Sequence, residues 1–162
     1  MGEIKVIVDE NEKENIAYSI LEQLPEWFGL PESTNEYIQN GKSMPFWAYY
    51  EEKRSIGFIV LKETSNATAE IYVMGVLKEY HRNGIGRLLF EVFQEYAKDQ
   101  EYQFLQVKTV KKGYYKEYDM TNAFYEKLGF RELECFPMLW DEWNPCQVYV
   151  KYIGIKENGN AF

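Results

Sequence analysis

With 162 residues the chain has the length of one domain, and its 46% hydrophobic and 17% aromatic content is too rich for a disordered polymer. Its 18 basic and 26 acidic residues leave a net charge of −8, which opposes the phosphate attraction that nucleic-acid binders rely on. No apolar run reaches the roughly 18 residues of a membrane span, and the opening MGEIKVIVDENEKEN lacks an apolar signal core. The expectation is a cytoplasmic protein with neither a nucleic-acid nor a membrane partner.

In chain order, the β-branched run IKVIV predicts a strand near 4–8. Ile16, Ile20, Leu21 and Leu24 then repeat at helical spacing between Glu12 and Pro25, and proline stops a helix. Residues 25–38, with two prolines and the pair Trp27-Phe28, read as a loop followed by a short helix from about Thr34. FWAYYE at 46–51, SIGFIVLK at 55–62 and TAEIYVMGVL at 68–77 are β-rich and separated by polar turns, so they predict an antiparallel meander. A helix over about 84–98 follows from the ladder Ile85, Leu88, Leu89, Val92, Phe93, Tyr96 and Ala97. Residues 102–109 predict a strand, KKGYYKEYD a polar loop, and TNAFYEKLGF a helix ended by Gly129. Two last strands fall near 130–136 and 146–153, and 156–162 reads as a flexible tail behind a single domain of residues 1–155.

The junction VLKEYHRNGIGRLLF, residues 76–90, joins a strand to an amphipathic helix through a glycine-bearing turn. Gly84 and Gly86 let backbone come close to a ligand, and the first N–H groups of a helix lack intrahelical partners, so the turn suits an anion. Arg82 and Arg87 add positive charge. Charge is unevenly spread: residues 1–77 hold 6 basic and 13 acidic side chains, 78–116 hold 8 and 5, and 117–162 hold 4 and 8. No Gly-Lys-Ser/Thr follows the glycines and no third spaced glycine is present, which excludes a P-loop and a dinucleotide fingerprint. His81 is the sole histidine, so a histidine-built metal site is excluded. Cys135 and Cys146 make neither a metal cluster nor a disulfide framework and read as reduced structural thiols.

His81-Arg82-Asn83-Gly84-Ile85-Gly86 resembles the acetyl-coenzyme A pyrophosphate loop of the GNAT N-acetyltransferase superfamily, with His81 where the family usually has Arg or Gln. TNAFYEKLGF is similar to the family's second signature, with Tyr118 and Thr121 replacing its usual Asn and Ala. The order of elements over most of residues 4–153 agrees. The resemblance implies an α/β (α+β) GNAT fold: a mixed, mostly antiparallel sheet of about seven strands, about four helices and a V-shaped cofactor cleft. It implies acetyl-CoA as acetyl donor, with no metal. Cofactor contacts would come from backbone groups of Met74, Gly75 and Val76, from the turn His81, Arg82, Asn83, Gly84, Ile85, Gly86 and Arg87, and from Asn122.

Gly75 breaks strand propensity and suggests a bulge or a close backbone approach. Acyl transfer to an amine needs a proton removed from the amine and one given to the thiolate. By resemblance Tyr125 is the general acid and Glu70, six residues before Val76, the general base. Strand alternation predicts Glu70, Tyr72, Met74 and Val76 on one face. The acceptor wall would come from residues 25–38, where Glu26, Trp27 and Phe28 lie with Glu32 and Glu36, a set suited to a cationic amine. FPMLWDEWNP, residues 136–145, reads as an aromatic-acidic loop for closing over the acceptor or for a homodimer contact. The resulting expectation is direct acetyl transfer to a small cationic amine; alternatives are a protein or peptide acetyltransferase and a non-catalytic acyl-CoA-binding module.

Overall fold

The computed structural model describes residues 2–154. The expected tail at 156–162 lies outside them. Among the described residues seven strands form a mixed sheet in the order β1-β2-β3-β4-β5-β7-β6, joined by four α-helices and one 3₁₀ turn. No helix there is long and apolar enough to cross a membrane. The chain separates into two compact units, one built on the residues before Glu63 together with Ile71–Phe93, the other on Glu63–Glu70 and the chain from Gln94 onward.

The first unit holds β1 (Gly2–Val6), α1 (Glu10–Leu21), α2 (Pro31–Gly41), β2 (Phe46–Glu51), β3 (Arg54–Glu63) except its last residue, most of β4 (Thr68–Val76), and the start of α3 (Ile85–Asp99). β1 pairs antiparallel with β2, and β2 with β3. Asp9 caps α1 by accepting from the Glu12 N–H at 2.9 Å, so α1 begins before the Glu12 that periodicity predicted. α2 also starts earlier than Thr34, because Pro31 occupies its first turn, where a missing N–H costs nothing.

Side-chain contacts give β3 and β4 their faces. A Cβ on Gly57 would approach Leu89 of α3 at 3.2 Å and Val76 at 3.3 Å, whereas one on Gly41 of α2 would lie 3.7 Å from Val60. Helix α3 therefore covers one face and α2 the other. On β4, Tyr72 meets α2 through Tyr37 and Asn40, yet Val76 faces α3. Gly75 turns to α1, where an added Cβ would meet Leu24 at 3.1 Å and Ile20 at 3.3 Å. Residues four apart thus face opposite sides, and the expectation that Glu70, Tyr72, Met74 and Val76 share one face is corrected: the two-residue period slips between Tyr72 and Gly75.

The second unit holds β5 (Phe104–Val110), α4 (Lys116–Lys127), β6 (Arg131–Asp141) and β7 (Asn144–Tyr152), with β7 antiparallel to both β5 and β6. Helix α4 starts five residues before the expected Thr121. Glu117 and Asp119 in its first turn complement the helix dipole, and Asp119 accepts from the Gly113 N–H at 2.7 Å. Gly129, at φ +100°, ends the helix as predicted. The segment 136–145 is corrected from a loop to a hairpin: Asp141 pairs with Asn144, and a register shift between Phe136 and Asp141 absorbs Pro137. An outer strand tolerates a proline because its outward N–H has no ladder partner to lose. Leu133, Met138, Leu139 and Trp143 of this hairpin are exposed.

Candidate functional site

In the first unit, β4 runs through Leu77 and the 3₁₀ turn Lys78–Tyr80 into the turn preceding α3. Arg82 at φ 67° and Gly84 at φ 78° both adopt the left-handed conformation. The first helical bond of α3 is Leu88 N–H to the Gly84 carbonyl at 3.0 Å. The N–H groups of Ile85, Gly86 and Arg87 therefore precede any intrahelical acceptor and carry the positive end of the helix dipole. Ile85 is buried and anchors the turn, while Arg82, Asn83, Gly84 and Arg87 are exposed. A Cβ on Gly84 would meet nothing within 4 Å, so the cradle is open to an incoming group. Unpaired donors, a helix N-terminus and two exposed arginines fit a diphosphate, the group that acetyl-CoA presents.

His81 is committed elsewhere. Its Nε2 lies 2.6 Å from the Val76 carbonyl oxygen, and its ring meets that of Trp27 edge-on with centroids 5.9 Å apart. The carboxylate of Glu26 accepts from Lys78, and this bond holds its pKa below the usual carboxylate range. Phe28 packs on Tyr37 at 6.2 Å, and Tyr37 on Tyr72 at 5.2 Å. The proposed acceptor residues are therefore gathered in one unit, but Glu26 is already neutralised by Lys78. Lys78 was missed because nothing in its spacing marks it; it comes into reach only through the fold.

In the second unit, Glu70 is 5% exposed. Its Oε2 accepts from Gln106 Nε2 at 3.0 Å and lies 3.6 Å from Lys108 Nζ. Gln106 and Lys108 were also missed, although their alternation with Leu105, Val107 and Thr109 marks a polar face of β5. Tyr125 is 7% exposed and sits among Phe124, Phe130 and Tyr149, at centroid distances of 5.6, 5.9 and 6.3 Å.

Asn122, expected among the cofactor contacts, is engaged within the protein. It is 1% exposed; its amide donates to the carbonyls of Val110 at 2.9 Å and Tyr118 at 2.6 Å, and its Oδ1 accepts from Tyr149 Oη at 2.6 Å. A buried amide facing the protein on every polar atom has none to offer a ligand. Lys112 likewise serves Glu126 and Glu132, at 3.1 and 3.4 Å. Among the described residues no group of three or more His, Cys, Asp or Glu side chains is placed to hold a metal.

The sequence profile of the Acetyltransferase (GNAT) domain matches residues 42–132. No curated protein matches the chain. A proposed GNAT-family acetyltransferase from Desulfovibrio desulfuricans superposes with a TM-score of 0.82 at 15% identity, over 95% of this chain and 100% of that one. The ribosomal-protein-S18-alanine N-acetyltransferase of Escherichia coli gives 0.77 at 18% identity over the whole of both chains. A GNAT family acetyltransferase from Elizabethkingia anophelis, solved with acetyl-CoA bound, gives 0.71 at 19% identity, covering 94% and 98%. At such identities the likeness is one of fold.

Proposed function

The chain belongs to the GNAT acetyltransferase family and is an acetyl-CoA-dependent acetyltransferase; on that premise we propose that it acetylates a primary amine of a small cationic molecule in the cytoplasm. Residues 1–155 are taken as one acetyltransferase domain. The observation that carries the acceptor class is the acidic, aromatic surface after α1: Trp27 and Phe28 are half-buried, and Glu32 and Glu36 are exposed on α2. An aromatic face beside carboxylates favours a cation.

Bound acetyl-CoA supplies an acetyl group activated as a thioester. The N–H groups of Ile85, Gly86 and Arg87, with Arg82, would hold its diphosphate, and backbone at Met74, Gly75 and Val76 would line its arm. Glu70 takes the proton from the attacking amine, directly or through water. Tyr125 would give one to the departing sulfur; a phenol of pKa about 10 can protonate a thiolate whose thiol has pKa about 8.5 only with help from its surroundings.

A peptide or protein acceptor is the second reading. It is favoured by β6, an outer strand whose residues are almost all exposed and to which an extended chain could add. The first reading gives that strand to a second copy of the chain, as a homodimer contact. Thiol release from acetyl-CoA, measured with polyamines, aminoglycosides, amino acids and peptides, decides between the acceptors. Turnover with free polycations over peptides supports the proposal; preference for peptides replaces it with the second reading, and no turnover with any amine sinks both.

A further inference from the structure

One imidazole joins the end of β4, the stem of the turn before α3 and the aromatic loop after α1. A carbonyl oxygen can only accept, so the 2.6 Å contact with Val76 requires the proton of His81 on Nε2. The 3₁₀ turn between these residues contributes only short-range bonds, Tyr80 N–H to Leu77 O at 2.9 Å and His81 N–H to Lys78 O at 3.1 Å. Such a turn holds poorly by itself, and the imidazole closes it from β4 to the residue that precedes the phosphate turn.

The same ring carries Trp27, and one residue earlier in that loop Glu26 is held by Lys78. Two contacts from adjacent loop residues therefore reach two positions of the turn, three residues apart. With Nε2 on Val76, the imidazole's donor is used on the protein. The Val76 carbonyl in turn has one lone pair occupied.

We propose that His81 is a positioning residue: it fixes the entry to the phosphate-binding turn against the end of β4 and makes the Trp27 loop move with it, without itself touching phosphate. This rests on the reading of 82–87 as the phosphate turn. The inference accounts for a histidine at a position where the family resemblance leads one to expect Arg or Gln.

Because His81 is the sole histidine, ¹⁵N-histidine labelling gives one imidazole to observe. The expected spectrum has Nε2 protonated in the free protein and still protonated when coenzyme A is added. An unprotonated Nε2, or a ring averaging between tautomers, overturns the proposal. Calorimetric titration with coenzyme A supplies the second arm. His81→Gln, whose side-chain N–H can reach the same carbonyl, should bind within about twofold of the parent, whereas His81→Phe, which keeps a ring for Trp27 but no donor, should bind about five- to tenfold more weakly. Full affinity in His81→Phe, or equal loss in both variants, overturns it. If instead Gly84→Val leaves coenzyme A binding unchanged while the imidazole behaves as expected, it is the assignment of the phosphate turn that fails.

Discussion

The hydroxyl of Tyr149 donates to Oδ1 of Asn122 at 2.6 Å, tying the middle of α4 to β7. Burial pushes the Tyr149 phenol well above its ordinary value, so it remains a donor across neutral pH. Three residues along the helix from Asn122 stands Tyr125, whose ring also packs on Tyr149. Replacing Asn122 by Ala takes the side-chain donor from the Val110 carbonyl and the Oδ1 acceptor from the Tyr149 hydroxyl, and should lower stability in urea by about 1–3 kcal/mol. If the side chain serves only as an internal tie, coenzyme A affinity of the folded variant should stay within about twofold of the parent. A selective loss of affinity would restore Asn122 to the cofactor site.

Tyr125→Phe preserves the ring contacts with Phe124, Phe130 and Tyr149 and removes only the hydroxyl. If that hydroxyl protonates the leaving sulfur, kcat of the folded variant should fall by about 10²-fold or more. Glu70→Gln retains the shape of the buried side chain but cannot take a proton; it should lower kcat by a similar factor and alter the pH–rate profile. Steady-state kinetics over a pH series checks both. Unchanged turnover in Tyr125→Phe, or an unchanged profile in Glu70→Gln, removes the corresponding role.

Burial first, and then the 2.8 Å hydrogen bond to Glu63, push the Tyr102 phenol up to about 12. The unfolded chain loses this proton near pH 10, so the folded state holds it longer. The group's contribution to stability is complete below about pH 10 and disappears as pH rises through about 12. Urea midpoints measured between those values should fall less steeply in Tyr102→Phe than in the parent.

Order and type of elements were legible because each buries one apolar stripe, as the Ile85–Ala97 ladder of α3 illustrates. The differences arose where local chemistry or tertiary packing overrides periodicity. α2 starts at a proline that apolar spacing ignores, α4 at a charged first turn, and β6 extends through a proline that its outer position tolerates. The glycine-bearing turn into α3 was readable from Gly84, Gly86 and the arginines. The partners of the site were not: Lys78 on Glu26, Val76 on His81, and Gln106 and Lys108 on Glu70 are set by which strands and loops meet. The slip in β4 was hidden too, since Gly75 signals an irregularity without saying where side chains turn.

The most direct measurement is a calorimetric titration of acetyl-CoA into the parent and into Gly84→Val. Valine at φ 78° is strained by about 1–2 kcal/mol, but its Cβ meets no protein atom within 4 Å, so it projects into the space where the diphosphate would lie. The account predicts a folded variant, slightly less stable, that binds acetyl-CoA at least about tenfold more weakly. Equal affinity in the two proteins would contradict it.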